Sequence, residues 1–138
     1  MEFFVTKRRS LLALAASVLA ILLLVPVARA EPPKAEPFSQ DAFDAALASG
    51  GPVLVEITAD WCPTCRAQNE VFASLLQDPR YADLKILEVD FDNQKDVVRA
   101  LGAQKQSTLI VYARGEEVGR GVGTTKPKRI ASLLDMAY

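Results

Sequence analysis

The stretch TADWCPTCRAQ, residues 58–68, holds both cysteines of the chain, Cys62 and Cys65, with two residues between them. Three chemistries suit such a pair: a structural staple, half of a metal site, or a redox-active dithiol. A Cys62–Cys65 bridge closes almost no loop and restrains the unfolded chain little, which argues against the staple. The chain contains no histidine, which removes a Ser-His-Asp triad, other histidine-activated nucleophiles and His-ligated zinc. Two thiolates suit Cu(I), but the two methionines, Met1 and Met136, are both distant from the pair in sequence. A Cu(I) metallochaperone is therefore the competing reading, and a non-catalytic binding module, which has no need of an intact pair, is a third.

The neighbouring elements decide what the pair can do. Val53–Ile57 is a short apolar, β-rich run that predicts a buried strand. Pro63 suits the first turn of a helix, where its missing N–H costs nothing. That helix is predicted to run to about Gln77, with Val71, Phe72, Leu75 and Leu76 as its buried stripe. Cys62 then stands at a helix N-terminus, where backbone N–H groups and the helix dipole favour a thiolate. Cys65 follows one turn later, within reach of Cys62 and more buried. The placement predicts Cys62 as the attacking sulfur and Cys65 as the one that resolves the mixed disulfide.

Residues 38–138 alternate helix and strand. Ser39 caps a helix over Gln40–Ser49, closed by Gly50-Gly51-Pro52. After the cysteine helix come a strand at Leu84–Val89, a helix over Asn93–Leu101 capped by Asp92, and a strand at Thr108–Tyr112. Arg114-Gly115-Glu116 turns into a strand at Glu117–Val122, and Thr125 caps a last helix with Pro127 in its first turn. Strands separated by helices imply parallel crossovers, and the terminal hairpin adds an antiparallel edge. The fold class is α/β: a central mixed sheet between two layers of helices.

The N-terminus reads as an export signal. Lys7, Arg8 and Arg9 precede an apolar run, Leu11–Val25, and Ala28-Arg29-Ala30 resembles a cleavage site. Cleavage is expected after Ala30, with Glu31–Pro37 (EPPKAEP) as a Pro-rich tether and 38–138 as the domain. The alternative is an uncleaved inner-membrane anchor, Leu11–Ala28. No cysteine near residue 30 allows a lipoprotein, and the Arg8-Arg9 pair is a weaker fit to a twin-arginine signal than to the general secretory route. The remaining 108 residues keep 12 basic and 16 acidic side chains, a net charge of −4, which argues against a nucleic-acid partner.

The WCPTC segment, at a strand-to-helix junction in a chain of this pattern, resembles the active site of the thioredoxin-like superfamily. The ADWC lead-in and following CR look most like periplasmic thioredoxins and the thioredoxin-like C-terminal domain of transmembrane reductant transporters. The resemblance covers nearly all of 38–138. It implies thiol–disulfide exchange on protein substrates with no organic cofactor, an exposed Cys62 and a shielded Cys65. The family's buried acid, six residues before the first cysteine, matches Glu56, which could take the proton from Cys65. A lysine often pairs with that acid on the next strand, and here the position holds Glu88.

The family also carries a cis-proline before a threonine, facing the cysteines. Here the stretch is Gln106-Ser107-Thr108, and a trans bond is expected at Ser107. That proline discourages metal capture in the family, so its loss makes a Cu(I) or iron–sulfur species more plausible. The loop is still expected to offer backbone groups to a substrate segment, together with Trp61, Pro63 and Thr64. Asp60 either tunes charge near Cys62 or is merely solvated. The expectation is a monomeric exported oxidoreductase, more a reductase than a disulfide-forming oxidase, recharged by a membrane electron transporter. The cell-made protein should run on a gel as the 108-residue product; a full-length, membrane-bound chain would overturn the cleavage.

Overall fold

The computed structural model describes residues 31–138; the export signal and the alternative anchor lie outside these residues. The apolar run becomes β2, Val53–Thr58, buried along almost its whole length. A strand buried on both faces needs helices on both sides of its sheet. β3 (Lys85–Asp90) pairs parallel with β2 on one edge, and β4 (Thr108–Ala113) pairs antiparallel on the other. β5 (Glu116–Val122) extends the sheet from β4, and β1 (Ala35–Pro37) extends it from β3. The order across the sheet is β1-β3-β2-β4-β5.

Four helices cover it: α1 (Gln40–Ser49), α2 (Pro63–Leu75), α3 (Lys95–Ala100) and α4 (Pro127–Leu134). Strand alternation splits the core in two. Val53, Val55, Ile57 and Ile110 share one apolar cluster with Phe43 of α1 and Val98 of α3. Leu54, Leu109 and Val111 share the other with Phe72 of α2 and Ile130 and Leu134 of α4. The result is the three-layer α/β/α sandwich that the sequence predicts. The hairpin turns on Arg114 and Gly115, at φ 52° and 81°. Those are the paired positive values of a two-residue turn that matches strand twist.

Three local expectations change. The Pro-rich tether is not all linker, because Ala35–Pro37 pairs with Ile86–Glu88 of β3. Three residues at an exposed edge carry no apolar alternation to reveal a strand, and the pairing rests on backbone bonds with one exposed ion pair, Glu36 to Lys85. Asp92 does not cap α3. Asp90 instead folds the turn, its carboxylate accepting the N–H groups of Asp92 and Asn93. α3 starts after Gln94 without a side-chain cap. Thr125 does not cap α4 either; Lys126 holds the cap position, and Pro127 at the helix start needs no donor satisfied.

Candidate active site

β2 ends at Thr58, whose carbonyl accepts Phe91 N–H, and the chain then turns so that Cys62 N–H bonds Ala59 O. This turn delivers Cys62 to the N-cap of α2, with Pro63 behind it. Cys62 and Cys65 form a disulfide with their Cα atoms 5.3 Å apart. The Cys65 N–H donates to Cys62 Sγ at 3.0 Å, so the sulfur does the work of a capping oxygen.

Cys62 is not exposed. It is 1% and Cys65 3% accessible, and both pack with Ala59 and Phe91. The bridge holds the Cys62 sulfur at the first turn of α2, and Phe91, arriving after β3, packs against the cluster of Ala59 and the two cysteines. The two cysteines differ in hydrogen bonding rather than in accessible area. Trp61 is the exposed group beside them, at 56%, and its indole N–H donates to Asp92 Oδ2 at 2.6 Å. Pro63 is exposed and Thr64 half-buried next to it. Asp60 is exposed, and its backbone carbonyl accepts a bond from the Arg66 guanidinium.

Glu56 is 7% accessible. It sits two residues after Leu54, on the face of β2 that packs under α2, and it pairs in register with Glu88 of β3. Burial pushes its carboxyl up to about 8, and the neighbouring Glu88 carboxylate adds to the rise. The exposed Glu88 lines a groove of about 350 Å³ with Asp60, Trp61, Asp90 and Asp92.

On the other side of β2, the peptide bonds of the Gln106–Thr108 loop are trans. The conformation is not that of a proline loop with a serine inserted. Ser107 has φ 57°, a left-handed value closed to proline. Its N–H donates to Ile57 O at 2.7 Å, and its carbonyl accepts from Gly123 N–H and from the Gln68 side chain. Its hydroxyl donates to Gln106 O. Thr108 belongs to β4, between Ile57 and Val122. Gln106 is the least buried of the three.

Gln68 is a site neighbour that sequence reasoning missed. It is 3% accessible and donates to Ser107 O and Thr124 O. A signal was present: Cys65, Gln68, Phe72 and Leu76 follow the three- and four-residue steps of one helix face. They are the buried row of α2, with Val71 and Leu75 half-buried beside it. Met136 packs over Gly119 of β5, where a Cβ would stand 2.7 Å from its sulfur, and not beside the cysteines. Among the described residues, no group of three or more Cys, Asp or Glu is placed to hold a metal ion.

An N-capping cysteine joined to another one turn later, above a buried acid on the central strand, defines a thiol–disulfide exchange site on an α/β sandwich. The chain belongs to the thioredoxin family, whose model matches residues 34–136. It is 35% identical to mouse thioredoxin over 101 residues, 72% of this chain and 94% of that one. It is 31% identical to human thioredoxin over 100 residues, 71% of this chain and 93% of that one. Among solved structures it is similar to Trxlp from Edwardsiella tarda EIB202, at TM-score 0.71 and 42% identity, covering 73% of this chain and 98% of that one. The protein is a thiol–disulfide oxidoreductase.

Two measurements probe this geometry. Ser107→Pro removes the bond to Ile57 and forces φ negative, and should destabilise the fold by roughly 2–4 kcal/mol in urea unfolding. The second concerns pH. Folded Glu56 keeps its proton up to about 8, while the unfolded chain releases it near the ordinary 4.5. The folded state therefore binds more protons in that window, and stability is highest below it and falls as pH rises through it, by on the order of a few kcal/mol. Glu56→Gln should flatten that part of the stability–pH curve; an unchanged slope would place the titration elsewhere.

Proposed function

We propose that this chain is an exported reductase of protein disulfides, recharged by the dithiol of a membrane electron transporter. The observation that carries the reading is the Cys65 N–H aimed at Cys62 Sγ at the N-terminus of α2. In the reduced protein the same group and the helix dipole stabilise a Cys62 thiolate. That thiolate attacks one sulfur of a substrate disulfide. The substrate S–S bond breaks, a Cys62–substrate bond forms, and the departing thiolate takes a proton from water. Glu56, ionised, accepts the Cys65 proton. The Cys65 sulfur then attacks Cys62 Sγ, the second substrate sulfur leaves as a thiolate and takes the proton held by Glu56, and the Cys62–Cys65 bridge closes. Two electrons have passed from the cysteines to the substrate, its two protons have come from water and from Cys65 by way of Glu56, and a dithiol donor must supply two electrons to reopen the bridge.

The reductive direction is supported by the likeness of ADWC and CR to reductant-relay domains. It is also supported by Pro63 and Thr64 standing between the cysteines with no histidine to hold an extreme thiolate. Substrate segments cross Trp61, Pro63 and Thr64 on one side and the Gln106–Thr108 loop on the other, with Gln106 the group most open to them. The protein works as a monomer, without an organic cofactor.

The reduction potential of the Cys62–Cys65 pair tests the direction. A value near thioredoxin's, about −270 mV, is expected, and one near −120 mV would instead mean a disulfide-forming oxidase. Cys62→Ser should abolish exchange. Glu88→Lys exchanges a repelling carboxylate for a cation, so Glu56 should ionise at lower pH and the rise of exchange rate with pH should move to lower pH with it.

A further inference from the structure

The Gln106–Thr108 loop needs an external hold. Ser107 occupies a left-handed conformation that costs a residue with a Cβ about 1–2 kcal/mol, and no proline ring fixes it. Two backbone bonds anchor Ser107, to Ile57 of β2 and to Gly123 after β5. Neither reaches the helix that carries the disulfide. The link to that helix is Gln68. Its side-chain amide nitrogen spans from α2 to Ser107 O at 3.2 Å and to Thr124 O at 3.0 Å.

The Thr124 hydroxyl is buried with no partner of its own, so the side chain of this second loop adds no tie. One buried amide thus joins the loop before β4, the loop after β5 and the face of α2 one turn beyond Cys65. A buried amide that meets two carbonyls fixes their separation: without it Thr124 O loses its donor, and Ser107 O keeps only the Gly123 N–H, which makes no contact with α2.

We propose that Gln68 is a positioning residue for exchange: it sets the Gln106–Thr108 loop in register with the Cys62–Cys65 pair, so that a peptide carrying a disulfide meets loop and sulfur together. The inference rests on the proposed docking of substrates across that loop. Gln68 touches neither sulfur nor substrate, and its effect falls on disulfides embedded in a peptide. A small disulfide that contacts only the attacking sulfur does not feel it. The pH dependence set by Glu56 is untouched.

The test compares reduced wild-type protein and Gln68→Met, similar in shape but without the donor. The two oxidants are a disulfide-bonded peptide long enough to cross the loop and a small aromatic disulfide. The peptide reaction should lose about tenfold in kcat/KM, the scale of one unmet buried hydrogen-bond pairing, mostly through KM. The small disulfide should react as with wild type, along the same pH profile. Equal losses on both oxidants, or no loss on either, would overturn the proposal.

Should Gln68→Met fail to fold, Gln68→Glu gives a second reading. Its protonated carboxyl can donate to one carbonyl, while its carboxylate repels both. The ratio of peptide to small-disulfide rates should then recover as pH falls, and a ratio flat with pH would overturn the assignment. Failure of wild-type protein to react with the small disulfide at all would strike the exchange chemistry itself, a result separate from any effect of Gln68.

Discussion

The backbone of β2 is hydrogen-bonded on both edges, to β3 and to β4, and its side chains are buried on both faces. A strand with no free edge and no free face cannot slide, since a shift of one residue would exchange its two buried faces. Everything in the site is measured from its C-terminal end. Glu56 is on it, Ile57 O holds Ser107, Thr58 O holds Phe91, and Cys62 follows four residues later. The sulfurs gain their fixed position from a strand held on both edges and both faces, through a short turn.

That rigidity allows an unfavourable charge arrangement to persist. Glu56 and Glu88 are register partners on adjacent parallel strands, one buried and one at the mouth of an acidic groove. With no cation paired to it, the buried carboxyl stays protonated through neutral pH. A neutral acid costs far less to bury than a carboxylate, which is why the packing tolerates it. The same choice leaves the group neutral at the pH where a carboxylate in water would be ionised.

Much of this was legible in the sequence, and the limits follow a physical pattern. The order of elements, the strand before the cysteines and the proline-led helix after them all rest on apolar periodicity and turn chemistry over several residues. Ile130, Leu133 and Leu134, spaced by three and four residues on the last helix, are buried. What the sequence hid depends on single long-range bonds. β1 exists only through its pairing with β3. Asp92 has the composition of a helix cap, but Trp61 takes its carboxylate. The cysteines pack in a cluster that Phe91 joins from 29 residues beyond Cys62. The left-handed Ser107 needs contacts from β2, α2 and the segment after β5 at once.

The short β1 strand also fixes the direction from which the chain arrives. It runs parallel to β3, so it enters the sheet from the end remote from the cysteines. Glu31 and Pro32 border Leu76, Gln77 and Asp78, just beyond the C-terminal end of α2. A 13-residue helix separates that point from the disulfide, roughly 20 Å at 1.5 Å per residue. Whatever precedes residue 31 therefore joins the domain at its rear pole. Held there or released, the domain keeps Trp61, the exposed group beside the cysteines, at the opposite pole.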